Sequence, residues 1–204
     1  MILVENIAYQ GKEQLYTITF SDGQSLEVEE DTLVHFTIYK GQECHQDICE
    51  ELKRYNDFVK ARRVGMRFAM RRKTRKEVEQ KIRDTFRDFP LQEDAIEEAL
   101  RWLEVEGFLD DALYAKDFVK DKTHLKKDGP RKISAQLLQK GVTRRLIEEA
   151  LSSIDEEIWE EQVRELLEKK FHHLSPKDRQ EYGKMARYLE NKGYTSSHWR
   201  RILS

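Results

Sequence analysis

The chain has 204 residues, 37% charged and 38% hydrophobic, with a formal net charge of −2. No apolar run approaches the roughly 18–20 residues of a membrane span, and three Trp, eight Tyr and nine Phe argue against a disordered polar chain. The start, Met1-Ile2-Leu3-Val4-Glu5-Asn6, lacks the basic opening and long apolar core of a signal peptide, so the expected compartment is the cytoplasm.

Residues 1–40 read as strands. Ile2 to Tyr9 is one. Leu15–Phe20 is rich in β-branched and aromatic residues, Ser21-Asp22-Gly23 follows, and Ser25–Val28 alternates polar and apolar, which predicts a hairpin. Glu30-Asp31-Thr32 opens a short helix reaching His35 or Phe36, and Gly41 breaks the chain. From Asp47 the period turns helical, with Ile48, Leu52, Tyr55, Phe58 and Val59 at spacings of three and four. Thr74 with Glu77 suggests a capping box ahead of Val78, Ile82 and Phe86. After Pro90 a third stripe runs through Leu91, Ala95, Ile96, Ala99, Leu100 and Leu103 to Gly107.

A second triplet follows. Asp110-Asp111 caps a helix with Leu113, Tyr114, Phe118 and Val119 on its face. Gly129-Pro130 opens the next, with Ile133, Leu137 and Leu138, closed by Gly141. Thr143 caps the third, with Leu146, Ile147, Ala150 and Leu151. The third triplet begins near Asp155. Ser175-Pro176 opens its middle helix, and the last helix holds His198, Trp199, Ile202 and Leu203.

The triplets are related by sequence. Ile96-Glu97-Glu98-Ala99-Leu100 recurs as Ile147-Glu148-Glu149-Ala150-Leu151, and Lys140-Gly141-Val142 recurs as Lys192-Gly193-Tyr194. A period near 50 residues signals stacked units, each covering its neighbour's apolar face. The expected fold is mainly α: three tandem three-helix repeats forming an elongated array behind a small β-rich module. The expected boundaries are 1–46, 47–108, 109–154 and 155–204.

Charge is segregated along the chain. Residues 1–50 hold 2 basic and 10 acidic groups, whereas residues 51–90 hold 14 basic and 6 acidic. No acid lies between Asp57 and Glu77. That stretch contains Arg62, Arg63, Arg67, Arg71, Arg72, Lys73, Arg75 and Lys76, suited to phosphate through counterion release and paired hydrogen bonds. Arg63, Arg67 and Arg71 would form one ridge on a continuous helix. A structural alternative has the acidic module neutralising these charges. A second cluster comprises Lys126, Lys127, Arg131, Lys132, Arg144 and Arg145. Arg131 falls near the place that Lys76 holds one repeat earlier, so a shared basic face is expected.

Catalytic signatures are missing: there is no phosphate-binding Gly-rich loop, no His-Glu-x-x-His and no Gly-x-Ser-x-Gly. Cys44, His45 and Cys49 do not match zinc-ligand spacing, and neither a metal nor a cofactor is expected.

Gly107-Phe108-Leu109-Asp110-Asp111-Ala112-Leu113-Tyr114-Ala115 with Phe118-Val119 resembles the signature of the RecX regulatory proteins. Gly129-Pro130-Arg131-Lys132-Ile133, Leu137, Lys140-Gly141-Val142 and Ile147–Leu151 resemble the motif that follows it, and Arg71–Val78 resembles the basic start of that family's first repeat. The stretch around Asp22-Gly23 and Glu29-Glu30-Asp31 is similar to the extension of Gram-positive members. Leu113 departs from the family, which usually has a basic residue there. The resemblance implies a non-enzymatic modulator of the RecA recombinase that binds along the groove of its filament, and the chain is expected to be a monomer. Its partner would be the RecA filament, with single-stranded DNA contacted directly or through it. The outcome would be inhibition of ATP hydrolysis and strand exchange. A stand-alone nucleic-acid-binding protein is the alternative reading.

Overall fold

The computed structural model describes residues 2–11 and 15–204. Two compact units emerge, residues 1–73 with 77–109, and residues 74–76 with 110–204.

The first unit opens with β1 (Ile2–Gln10), β2 (Leu15–Phe20) and β3 (Ser25–Val28), then α1 (Glu30–Phe36) and β4 (Glu43–Cys44). The antiparallel sheet has the order β3-β2-β1-β4. Gly23, at φ 82°, makes the turn between β2 and β3, and Asp22 Oδ1 accepts the Gln24 N–H at 2.9 Å. Val4, Ile18, Phe20, Val28 and Cys44 are buried on one face, as strand alternation requires. Leu52, from α2 (Gln46–Ala69), completes that core.

The long helix α2 therefore serves two cores. Beyond Leu52 its residues Phe58, Val59, Ala61 and Ala69 join α3 (Arg75–Thr85) and α4 (Glu93–Val105) in a second cluster with Val78, Ile82, Leu100 and Leu103. Gly65 allows close approach, since a Cβ there would stand 2.5 Å from Leu103 Cδ1. Asn56, 1% exposed, ties α2 to the sheet region. Its Oδ1 accepts the Glu29 N–H (2.9 Å) and the Thr32 hydroxyl (3.1 Å), and its Nδ2 donates to the Glu27 carbonyl (2.9 Å).

The second unit contains α5 (Asp111–Lys126), α6 (Pro130–Gln139), α7 (Arg144–Leu151), α8 (Glu156–Phe171), α9 (Arg179–Lys192) and the short α10 (Ser196–Trp199) around one apolar core. Asp110 caps α5 by accepting the Leu113 N–H at 2.8 Å. Gly129-Pro130 opens α6 as expected. Thr143 holds the N-cap position of α7, but its side chain makes no capping bond. Ser175-Pro176 does not open α9. Asp178 does, accepting the N–H groups of both Gln180 and Glu181, a stronger start than proline's fixed φ. The last helix stops at Trp199, and Leu203 reaches the core from the turn beyond. No helix among the described residues is long and apolar enough to cross a membrane.

Candidate nucleic-acid interface

The basic run is not one continuous ridge. Arg62, Arg63 and Arg67 lie on α2, but that helix ends at Ala69, so Arg71 sits in the turn beyond it. The next residue, Arg72, adopts φ 48°, a left-handed conformation that reverses the chain before α3. The expected ridge of Arg63, Arg67 and Arg71 is thus interrupted, because the helix runs out one residue short of Met70.

Two arginines of the basic run are neutralised within the fold. Arg62 pairs with Asp31, and its guanidinium lies 5.4 Å from the Phe58 ring centroid and 5.2 Å from that of Trp102. Arg63 reaches Glu29 at 2.9 Å. The Glu29 side chain is 8% exposed, and burial raises its carboxyl pKa against the opposing pull of Arg63 and Lys60. Glu29 Oε1 has no hydrogen-bond partner among the described residues. These two arginines hold the acidic module to α2, which matches the structural alternative for this part of the run.

Arg67 and Arg71 are different. Both are exposed, and neither makes an ion pair with any described residue. Lys73 is half-buried, its Nζ 5.1 Å from the Phe68 ring centroid.

In the second unit, Thr74–Lys76 pack with the repeat that follows. The Thr74 hydroxyl donates to the Lys140 carbonyl (2.7 Å), Asp111 Oδ1 accepts the Arg75 N–H (2.9 Å), and Lys76 Nζ reaches the Gln139 carbonyl (3.3 Å). The same junction recurs one repeat on. Gly129 N–H donates to the Lys192 carbonyl at 2.7 Å, and Arg131 N–H donates to the Gly193 carbonyl at 3.1 Å. Gly141 abuts Lys76 as Gly193 abuts Lys132. The counterpart of Lys76 is therefore Lys132, not Arg131, a shift of one position that only the packing reveals.

Of the second cluster, Lys132 pairs with the buried Asp128 at 2.8 Å, Lys127 pairs with Glu165, and Arg145 pairs with Glu149 one turn along α7. Lys126, Arg131 and Arg144 are exposed with no ion pair to any described residue. Sequence reasoning missed three further lysines, Lys169, Lys170 and Lys192. They line a cavity of about 460 Å³ with Lys126 and Lys127. Their charge is legible in the sequence, but their convergence with the end of α5 is not.

The family models for the second and third three-helix domains of RecX match residues 110–151 and 156–203. The regulatory protein RecX of Clostridium botulinum is 42% identical over 119 residues, 57% of this chain and 55% of the relative. That of Streptococcus gordonii is 28% identical over 187 residues, 91% of this chain and 70% of the relative. The chain belongs to the RecX family.

Some RecX relatives are matched over little more than half their length, 55% for the Streptococcus uberis protein at 29% identity over 71% of this chain. The fold agrees as well. A crystal structure of regulatory protein RecX superposes with a TM-score of 0.74 at 22% identity, covering 99% of this chain and 98% of that one. RecX from Lactobacillus salivarius gives 0.64 at 25% identity, over 73% and 96%.

The residues carrying the RecX resemblance do structural work. Asp110 caps α5, Asp111 caps the first turn of α3, Tyr114 stacks on Phe118 with centroids 6.0 Å apart, and Ile133, Leu137, Val142 and Ile147 are core. Leu113, where the family usually has a basic residue, is 53% exposed on α5.

Proposed function

We propose that the protein is a non-enzymatic, cytoplasmic, monomeric regulator that binds along the groove of the RecA filament on single-stranded DNA. There it inhibits ATP hydrolysis and strand exchange. What carries this reading is the coincidence of a RecX scaffold with exposed arginines that make no ion pair with any described residue, Arg67 and Arg71 in one unit, Arg131 and Arg144 in the other. Such cations are available to phosphate or to acidic protein surface. Bridging neighbouring subunits would hold them against the motions of their ATP cycle, provided the regulator prefers one filament state over the other.

The test is a titration of RecA ATPase on single-stranded DNA. The chain should inhibit in proportion to its concentration. A variant carrying Arg71→Glu, Arg72→Glu and Lys73→Glu should lose that inhibition. Arg67→Glu with Arg131→Glu supplies a second variant at exposed positions. Undiminished inhibition by both folded variants overturns the reading. Tight binding of bare duplex, equal to that of RecA-coated DNA, would favour a stand-alone nucleic-acid-binding protein instead.

A further inference from the structure

The cavity of about 460 Å³ in the second unit is built from three helices. Lys126 and Lys127 stand at the end of α5, Lys169 and Lys170 in the last turn of α8, and Lys192 at the end of α9. Lysine near a helix C-terminus is favoured by the macrodipole. That accounts for each lysine singly, but not for the presence of all five in the lining of one cavity.

Their neutralisation is incomplete. Lys127 pairs with Glu165. Lys192 lies 3.7 Å from Asp128 and donates to the Lys126 carbonyl at 3.1 Å. Lys126, Lys169 and Lys170 have no carboxylate partner among the described residues. Like charges gathered on the lining of one cavity repel, and an anion bound there relieves that repulsion.

Three apolar residues share the lining with the lysines and Glu165: Leu125, which is 75% exposed, Leu166 and Tyr188. An exposed leucine beside a cavity gains free energy when a partner's apolar side chain covers it, at about 25 cal/mol per Å² of area removed from water. Single-stranded nucleic acid would instead look for an aromatic face to stack a base on. The Tyr188 ring does not offer one freely: Lys170 Nζ sits 4.1 Å from its centroid, and Phe171 meets it edge-on at 5.3 Å.

We infer that this cavity is a docking pocket for an acidic peptide segment of a partner protein, with its carboxylates on Lys126, Lys169 and Lys170 and an apolar side chain against Leu125. The inference reaches beyond filament binding through the exposed arginines and does not depend on it.

The test uses the full chain without RecA or DNA, so its failure leaves the filament-binding reading standing. A short fluorescein-labelled peptide of glutamates around a central Phe-Leu pair is titrated by anisotropy. Controls are the same peptide with Ser-Ser at the centre, and labelled oligothymidylate. The Phe-Leu peptide should bind roughly tenfold more tightly than the Ser-Ser peptide, a difference of about 1.4 kcal/mol. Lys169→Ala with Lys170→Ala, and separately Leu125→Ser, should each weaken Phe-Leu peptide binding by roughly tenfold. Circular dichroism verifies that both variants fold. The pocket assignment is overturned by absence of saturable peptide binding. Equal affinity for the two peptides overturns it too, as does a lysine variant that loses oligothymidylate and keeps the peptide.

Discussion

A Cβ on Gly193 would stand 2.4 Å from the Cβ of Lys132 and 2.5 Å from its backbone nitrogen. Gly193 also closes α9 at φ 93°, where side chains are disfavoured. Gly193→Ala therefore meets two penalties, a left-handed conformation costing about 1–2 kcal/mol and a contact with main chain that cannot rotate away. Thermal unfolding followed by circular dichroism should show a marked loss. Gly107→Ala makes the comparison, since Gly107 has φ 75° but nothing within 4 Å of its would-be Cβ. It should cost only the conformational part.

Asn56 satisfies two buried groups and one part-buried carbonyl at once. Asn56→Ala strands the Glu29 N–H, the Thr32 hydroxyl and the Glu27 carbonyl, and each buried orphan costs about 1–3 kcal/mol. Urea unfolding should register a loss of about 3 kcal/mol or more on that basis. Thr32→Val removes one partner and leaves two intact, so its loss should be smaller. Equal losses would mean that Asn56 does not act as a shared hub.

The arginines of the basic run should separate by partner. Arg63→Ala leaves the buried Glu29 carboxylate without its ion pair, and a bond to a charged group contributes about 1.5–3 kcal/mol before screening. Arg63 is 47% exposed at the side chain, so the measured loss should fall at the low end. Arg67→Ala removes no ion pair with any described residue and should change stability by no more than about 0.5 kcal/mol. Denaturation midpoints of the two variants check this directly.

Stability should also respond to pH through Glu29. Burial raises its folded pKa above the ordinary glutamate range, so between the unfolded and folded values the native state holds the extra proton. The contribution of this group to stability therefore falls as pH rises through that window, and is restored on acidification. Subtracting the pH profile of Glu29→Gln from that of the parent chain isolates it. Asp57, also raised by burial although the Gln92 N–H opposes the shift, should add a component of the same sign. A difference profile rising with pH would contradict the assignment.

Association with a phosphate backbone should weaken with salt, the logarithm of affinity falling by roughly 0.7 per single-strand contact for each unit in log salt. Arg67→Ala and Arg144→Ala should each lower that slope, whereas Arg62→Ala should not, because its guanidinium is engaged by Asp31. Filament binding measured across a salt series decides.

Much of the architecture was legible because it rests on short-range pattern. The hairpin around Gly23, the Asp110 cap and the repeated Lys-Gly at 140–141 and 192–193 follow from local chemistry. Long-range pairings were not legible. The two residues of β4 carry no periodic signal and are strand because Ile2 pairs with Cys44 and Leu3 with Glu43. Asp178 outcompeted Ser175-Pro176 through side-chain bonds that spacing alone does not rank. At the candidate interface, sequence identified the cations but not their occupancy: Asp31 lies 31 positions from Arg62, and Glu29 lies 34 from Arg63. The one-position misregister between Arg131 and Lys76 arose because repeats of unequal spacing align by packing, not by counting.

The junction between the second and third repeats is sewn partly main chain to main chain, through the amides of Gly129 and Arg131. Position 131 thus fulfils its architectural duty whichever residue other than proline stands there. Its guanidinium is left without an internal obligation, and mutating it can interrogate recognition alone while the scaffold stays silent.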